Sequence, residues 1–405
     1  MDKQKVIDYV MATPENSNPN VLKTMLEDSG GLKNLVDGSS SGSVRGINTD
    51  EEGNEYMIGA NAMAVGYKTK AIGSSSFAEG GYSIAVGNFA HAEGNCTSAK
   101  GDLSHAEGSQ TIVEVNGANG HAEGTTTKVT AYSAHAEGCL TEANGSHAHA
   151  EGYNTKANGD QSHAEGASTK AAAGGAHAEG EETVANTRAS HVEGYGTKAN
   201  AQYAHAEGKN TKANGESGHA EGSNTTVSSD CSHAEGDSTT ASNSASHAEG
   251  KLTTASGTYS HAEGYLTSAL DPQSHAEGYS TKADGTSSHA EGDNTKTSGG
   301  YAHAEGKRTE AIGNGSHAEG EYTVAKEDDS HAEGFHTIAG SNYQHVSGKY
   351  NIEDSNNTYA VIIGNGDSNA RSNAFAIKWD GTFVFADGTE IIPSEFASLK
   401  ALLNK

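Results

Sequence analysis

The chain has 405 residues, a formal net charge of −27 and only 33% hydrophobic residues, whereas globular domains carry roughly 45–50%. It contains 52 glycines but only 7 phenylalanines and 1 tryptophan, which argues against two or three conventional domains with bulky cores. The acidity argues against a nucleic-acid partner, because DNA binding relies on Lys and Arg to neutralise phosphates. Such a composition is typical of disordered chains, yet this sequence is strictly periodic.

The positions of the cysteines and the lack of recognised targeting segments exclude further classes of protein. Cys96, Cys139 and Cys231 fall at different points of the repeat, which predicts neither a disulfide framework nor a metal cluster. No apolar run approaches the roughly 18 residues of a membrane span, and the first residues lack the apolar core of a signal peptide. We therefore expect a chain that is made in the cytoplasm and has no membrane span.

The periodicity is a 14-residue repeat. A histidine followed in almost every case by Ala, Glu and Gly recurs every 14 residues from His91 to His331, with a single 16-residue step after His105. We expect the two extra residues of that step to loop out. The register extends back to Met63 and on to His345, which gives 21 coils.

Each coil, numbered from its histidine, consists of two similar halves. Positions 2, 4 and 7 are Ala, Gly and Thr, and small residues recur at 9, 11 and 14. Seven residues fit a short strand plus a turn, and no apolar residues recur at helical spacing. We therefore predict an all-β shaft over residues 59–350, a parallel β-roll with two sheets back to back. Alternation places positions 14, 2, 4, 7 and 9 inside, because the opposite choice would bury unpaired His, Glu and Lys side chains.

The two outer faces of this roll differ. Positions 8 and 10 vary, as in a solvent-facing sheet, whereas His at position 1 and Glu at position 3 hardly change. We infer that the His/Glu face meets other chains, all the more because an Ala/Gly interior buries little apolar area. The predicted inter-chain ladder includes His91 and Glu93, His105 and Glu107, His163 and Glu165, His205 and Glu207, His261 and Glu263, and His317 and Glu319.

Two segments carry a family resemblance. Asn61 to Gly66 reads Asn-Ala-Met-Ala-Val-Gly, and Ser83 to Gly87 reads Ser-Ile-Ala-Val-Gly. They resemble the head repeats of YadA-like trimeric autotransporter adhesins, and the resemblance covers about residues 60–348. It implies left-handed β-rolls that associate in threes, so that two identical chains are the expected partners. The export signal and membrane barrel of those adhesins are not recognised in this sequence.

A second resemblance concerns the Ser-His-Ala-Glu-Gly form of the repeat and the opening from Val6 to Lys23. Both are similar to tail fibre and appendage proteins of phages of Gram-positive hosts and of their prophages. This resemblance implies a location in the virion tail, with residues 1–58 bound to tail or baseplate proteins. Within 1–58 we predict helices at 3–11 and 19–28 and a Gly/Ser-rich linker at 38–42; a mobile tail is the alternative for this segment.

Bulky residues concentrate in the C-terminal segment, 351–405. Tyr359–Ile363 and Ala374–Trp379 predict strands, Asp380-Gly381 predicts a hairpin turn into Thr382–Ala386, and Glu395–Leu403 predicts a short helix. We expect a β-hairpin tip or trimerisation cap that closes the last coil. The residues predicted to bind a host cell-surface glycan or protein are Tyr359, Phe375, Trp379 and Phe383.

The repeated motif contains the ingredients of a catalytic triad, but Ser and His are neighbours on a strand and point to opposite faces. We predict no enzyme activity and no cofactor. Contacts with Glu are expected to raise the pKa of the histidines in the folded state, so that stability is lost as the pH rises. An axial metal or anion site is an alternative use of the ladder, with His147 and His149 as its predicted ligands; a simple loop substitution is the other interpretation of His147.

These features predict a structural and adhesive fibre. The leading hypothesis is a trimeric tail fibre or appendage of a phage or a prophage-derived particle, whose tip touches the host. The alternative is a bacterial surface or secreted adhesin of the trimeric head type, located at the cell surface.

Overall fold

The computed structural model describes residues 47–49, 55–57, 59–396 and 398. The helices predicted at 3–11 and 19–28 and the linker at 38–42 lie outside the described residues. The described part of 1–58 is an antiparallel pair of strands, Ile47–Thr49 and Glu55–Met57, which the sequence analysis did not predict. Residues that favour strands, such as Ile47 and Tyr56, explain this pairing.

The chain divides into two compact units, one up to Ala189 and one from Ser190 onward. Each unit is a parallel β-solenoid with a 14-residue spacing, which confirms the predicted all-β coil. Every coil has a five-residue long strand at positions 1–5, and every coil except the last has a two-residue short strand at positions 8–9. The long strands stack into one parallel sheet in each unit and the short strands into another.

The strand bounds repeat with the period of the sequence. In the first unit the long strands are Met63–Tyr67, Phe77–Gly81, His91–Asn95, His105–Ser109, His121–Thr125, His135–Cys139, His149–Tyr153, His163–Ala167 and His177–Glu181. The short strands of that unit are Lys70–Ala71, Ile84–Ala85, Ser98–Ala99, Ile112–Val113, Lys128–Val129, Glu142–Ala143, Lys156–Ala157, Lys170–Ala171 and Val184–Ala185.

In the second unit the long strands are His191–Tyr195, His205–Lys209, His219–Ser223, His233–Asp237, His247–Lys251, His261–Tyr265, His275–Tyr279, His289–Asp293, His303–Lys307, His317–Glu321, His331–Phe335 and His345–Lys349. The short strands are Lys198–Ala199, Lys212–Ala213, Thr226–Val227, Thr240–Ala241, Thr254–Ala255, Ser268–Ala269, Lys282–Ala283, Lys296–Thr297, Glu310–Ala311, Val324–Ala325 and Ile338–Ala339.

The 16-residue step keeps the register of the sheet. His105 lies directly opposite His121 in the parallel ladder. The extra residues form a turn in which the Gly117 N–H donates to the Glu114 carbonyl at 2.8 Å, and Val115 is 68% exposed. The predicted loop is confirmed.

Two residues per coil turn the chain. Positions 6 and 13 adopt the left-handed conformation, as in Leu140 (φ 60°) and His147 (φ 57°) of one coil. These positions are seven residues apart, which confirms that a coil consists of two similar halves. The left-handed conformation is costly for residues other than glycine, so the stacked sheets must hold these turns in place.

The interior of each unit is built from small side chains, as predicted. From Ala71 to Val346, positions 2 and 9 are fully buried, as in Ala164 and Ala171, and the Thr of position 7 is buried with them. The serines of position 14 are buried but satisfied, since the hydroxyl of Ser162 donates to the Gly159 carbonyl at 2.6 Å.

The prediction for position 4 was wrong. Gly166, like the other glycines at this position, is at least partly exposed, whereas glycines at position 11, such as Gly159, are buried. Alternation fails at position 4 because Gly166 has a φ of 110°, outside the extended region on which alternation depends.

Two buried valines at position 9 each lie against a glycine of the preceding coil, so that a large residue is paired with a small one. Most coils have Ser or Ala at position 14 and Ala at position 9 of the next coil, nine residues further on. Gly218 precedes Val227 by that interval, and a Cβ on Gly218 would lie 2.6 Å from Cγ1 of Val227. Gly120 and Val129 repeat the arrangement, with 2.7 Å. The larger residue therefore occupies space left by the smaller one.

The second unit ends in a mixed sheet. Tyr359–Asn365 adds a further parallel strand to His345–Lys349, so the stack extends beyond the predicted boundary at 350. Asn373–Lys378, Phe383–Phe385 and Glu390–Ile391 then follow in antiparallel order, which confirms the predicted strands.

The structure describes the predicted hairpin turn and part of the predicted C-terminal helix. The Lys378 N–H donates to the Thr382 carbonyl at 2.9 Å across the predicted hairpin turn. Residues 393–396 and 398 are helical, and the remainder of the predicted helix lies outside the described residues. No helix in the part of the chain that the structure describes is long and apolar enough to cross a membrane.

Side chains cover the last short strand. The Asn351 side chain accepts from the Ile338 N–H at 2.7 Å and donates to the Ile338 carbonyl at 2.9 Å. Gln344, also fully buried, donates to the Tyr359 carbonyl at 3.0 Å. Asn351 thus replaces the next strand of the short-strand sheet and protects its edge.

Candidate functional site: the histidine and glutamate ladder

The ladder is the column of position-1 and position-3 side chains on the long-strand sheet of each unit. In the first unit the rings from Phe77 to His177 stack with centroids 4.7–5.0 Å apart. In the second, those from His191 to His345 stack at 4.6–4.9 Å. The spacing follows directly from the separation of parallel strands.

Each predicted pair is brought together within its own coil. The histidine Nε2 and the glutamate Oε2 are 3.4–3.9 Å apart, with both side chains about one-third to one-half exposed. The predicted pairs measured in this way are His91–Glu93, His105–Glu107, His163–Glu165, His205–Glu207, His261–Glu263 and His317–Glu319.

Most of these contacts are too long for good hydrogen bonds. Nε2 of His105, His261 and His317 has no hydrogen-bond partner and almost no solvent contact within the described chain. A buried polar atom without a partner is costly. Much of the ladder is therefore a row of nitrogen atoms that form no hydrogen bond within the described residues.

The prediction that glutamate raises the pKa of the histidines was wrong. Burial lowers the pKa of His105 below its ordinary value, and the imidazoles of His121 and His91 lower it further. Glu107 and Glu93 act in the opposite direction without compensating, because half-exposed carboxylates are screened by water. The same causes lower the pKa of other ladder members, namely His135, His219, His233, His247, His275, His289, His317 and His331.

Some charges of the opposite, short-strand face are paired between neighbouring coils. Lys156 lies 2.9 Å from Glu142 on the neighbouring short strand, and Lys100 lies 2.9 Å from Glu114. Variable, paired charges of this kind are typical of a solvent-facing surface. The two faces of the roll differ in bonding as well as in sequence.

His147 and His149 lie in different surroundings. His147 is in a left-handed turn, and its ring contacts Tyr132 edge-on at 5.6 Å. His149 belongs to the ladder, between His135 and His163. The premise that alternate residues share a face does not apply to His147, because the turn interrupts the extended strand.

The predicted tip residues divide into two groups. Phe375 and Phe383 pack together at 5.4 Å, and Phe396 extends this cluster with a centroid 4.9 Å from Phe383. Trp379 is 47% exposed in the hairpin turn and donates to Asn357 Oδ1 at 2.9 Å. Tyr359 packs against the buried end of the core.

One aromatic group was missed by the sequence analysis. Tyr322, His336 and Tyr350 occupy position 6 of three successive coils, and their rings stack at 4.3 and 4.6 Å. The Arg308 guanidinium lies over Tyr322 at 5.2 Å. The signal was present in the 14-residue spacing of these residues, but position 6 is otherwise too variable to attract notice.

Neither protein-family models nor curated proteins gave a match to this chain. The class that the geometry defines is the parallel β-solenoid with a surface ladder of histidine and glutamate.

Proposed function

We propose that the chain is the subunit of a trimeric structural fibre, a phage or prophage-derived tail fibre or appendage that presents a host-binding tip. The observation that carries this proposal is the ladder. Its sequence hardly varies, and Nε2 atoms such as those of His105, His261 and His317 lack hydrogen-bond partners among the described residues. A surface that touches only water has no need of such regularity.

Association through the ladder provides hydrogen-bond partners from neighbouring chains that a single chain does not offer. Carboxylates stacked along a sheet repel one another, and hydrogen-bond donors from neighbouring chains relieve that repulsion. The opposite face, where Lys156 and Lys100 pair with glutamates of neighbouring coils, is exposed to solvent in this arrangement. The half-exposed cluster of Phe375, Phe383 and Phe396 supports a second zone of contact at the C-terminal end.

The oligomeric state tests the trimer. Light scattering on the full chain should give three times the 41.5 kDa mass of one chain. A mass of one chain would overturn the proposal. Replacing ladder histidines in three adjacent coils, His205, His219 and His233, by serine should weaken association, whereas replacing Lys198, Lys212 and Thr226 on the opposite sheet should not.

Location tests the tail assignment. Immunogold labelling of induced particles should decorate tails. Label on the cell envelope and not on tails would favour the alternative, a surface adhesin of the trimeric head type.

Receptor binding at the tip rests on Trp379, the most exposed of the predicted residues. Trp379→Ala should reduce adsorption to host cells without changing the assembly. Tyr301→Ala is a matched control, since Tyr301 is also an exposed aromatic residue, at 74%, but lies on the shaft.

A further inference from the structure

We propose that the ladder binds late first-row transition-metal ions such as Zn²⁺, each held by a histidine, the glutamate two residues on and the histidine of the next coil. In five such trios one ligand atom from each residue lies within 4.8 Å of the other two. The trios are His91, Glu93 and His105; His105, Glu107 and His121; His121, Glu123 and His135; His247, Glu249 and His261; and His261, Glu263 and His275.

The distances are close to those of a tetrahedral site. Metal–ligand bonds of about 2.0–2.1 Å place ligand atoms roughly 3.3 Å apart. His91 Nε2 and Glu93 Oε2 are already 3.4 Å apart. All three ligand atoms lie within 4.8 Å of one another, so the two Nε2 atoms need to approach by up to about 1.5 Å, and the parallel rings must rotate because a metal ion lies in the plane of each imidazole that binds it. Three protein ligands leave a fourth position open to water.

The rings have the freedom to make that approach. Their Nε2 atoms have no hydrogen bonds to break. The angle between neighbouring rings ranges from 2° at His91–His105 to 76° at His149–His163, so the ladder accommodates rotated imidazoles. Ion binding would also offset the repulsion between stacked glutamates.

The types of ligand atom in the trios determine which metal ions they favour. Neutral imidazole, the ordinary form of histidine above about pH 7, is the ligand form. Two nitrogens with one carboxylate suit Zn²⁺, Ni²⁺ or Cu²⁺, whereas Mg²⁺ and Ca²⁺ prefer all-oxygen sites. The trios therefore differ from a general attraction of cations to an acidic protein.

Neighbouring trios share a histidine, which limits the number of metal ions that can bind at the same time. The first and third trios of the first unit share no residue, whereas the two trios of the second unit share His261. The five trios therefore hold three ions per chain at once. All ligands of an ion belong to one chain, so every chain of an assembly carries its own set of sites.

Calorimetry on the untagged, chelator-stripped full chain tests the proposal, with Zn²⁺ as titrant and excess Mg²⁺ present. Co²⁺ serves as the spectroscopic probe, and tetrahedral absorption bands are expected. At least three ions should bind per chain. Replacing Glu93, Glu107, Glu123, Glu249 and Glu263 together by Gln should weaken three of these sites by at least about tenfold.

The glutamine variant keeps the side-chain shape and removes repulsion, so it should remain folded, which circular dichroism checks. A charge-matched control replaces Glu114, Glu142, Glu216, Glu310 and Glu327, all off the ladder, by Gln and should bind as the wild type does. Equal losses in both variants, displacement of Zn²⁺ by Mg²⁺, or one ion per three chains would each overturn the proposal.

Discussion

The glycine at position 4 shows how a single residue fixes the geometry of a coil. Gly166 has a φ of 110°, and a Cβ placed on it would lie 2.0 Å from the Gly180 carbonyl oxygen of the next coil. Both the backbone conformation and the close approach therefore require glycine.

Replacing Gly166 by Ala should destabilise the first unit by about 3 kcal/mol or more, since backbone strain adds to a clash with rigid backbone. Thermal unfolding followed by circular dichroism measures the change. Gly174→Ala is the matched control, because its Cβ would lie 3.6 Å from the nearest atom, the Asp160 carbonyl oxygen, and should change stability by less than about 1 kcal/mol. Equal effects of the two substitutions would contradict this account.

The size-matched pair in the second unit gives a second prediction. Gly218→Ser should cost about 1–3 kcal/mol by overpacking against Val227, and Val227→Ala alone should cost about 1–2 kcal/mol by leaving a cavity. The double variant restores the Ser/Ala combination of other coils, such as Ser232 and Ala241, and should be close to wild type. A double-mutant cycle by chemical denaturation measures the coupling, and additive losses would argue against size matching.

At the residue scale, most of the interior could be predicted from the sequence. Alternation with small residues placed Ala164 and Ala171 inside, and the structure agrees. It failed for Gly166 because alternation assumes extended backbone. The pairing of Gly218 with Val227 was in principle readable from their nine-residue interval, but only the path of the coil shows that these positions face each other.

At the scale of structural elements, the histidines of the ladder determine how the stability of the fold depends on pH. Above the ordinary histidine pKa of about 6.5, the imidazoles are neutral in both the folded and the unfolded chain. Below it, the unfolded chain binds protons that the folded ladder resists, because the pKa values of His219, His233 and His317 are lowered. The stability contribution is therefore fully present above that pH and is lost as the pH falls through the lowered folded-state values.

We expect the melting temperature to fall between pH 8 and pH 5, a range that stays above most carboxylate titration. Scanning calorimetry at constant ionic strength measures it. A variant with Gln in place of His219, His233 and His247 should show a weaker dependence. A melting temperature that rises on acidification would contradict the lowered pKa values.

The direction of this effect could not be obtained from the sequence. The alternation of His and Glu was evident, but the direction of the histidine pKa shift depends on how deeply a stacked ring is buried and how close the next ring lies. His105 illustrates this, since burial and its two neighbouring imidazoles outweigh its two glutamates. These are properties of the stack and not of one coil.

At the scale of the whole molecule, each coil of a unit contacts its immediate neighbours in that unit, as repeat proteins do. Removing one complete coil, residues 233–246, joins Ser232 to His247 and preserves every position of the repeat. The melting temperature should change little. Circular dichroism during heating measures it.

Removing one residue more, 232–246, leaves a coil of 13 residues and should lower the melting temperature or split the transition. A missing residue cannot loop out as the insertion around Val115 does, and a one-residue shift exchanges the two faces of a strand. Indistinguishable melting of the two deletions would show that register does not control stability.

The sequence predicted the architecture of this molecule well because the repeat determines it. The predicted strands at 359–363 and 374–379 also match the observed ones closely. The parallel pairing of the first of these strands with His345–Lys349 was not predicted, because Val361 and Ile363 replace the His and Glu of earlier coils.

The fixed 14-residue interval between stacked positions also bears on how the chain folds. Closing each new coil costs the same loop entropy however many coils already exist, so growth by one coil is a local and fast event. The slow step is then the first assembly of coils. Contacts that span longer intervals lie at the C-terminal end, where Arg371 bonds the His336 carbonyl 35 residues away. During synthesis, therefore, coils can form progressively behind the ribosome, whereas the antiparallel strands after Lys349 pair only once residues up to Ile391 have been made.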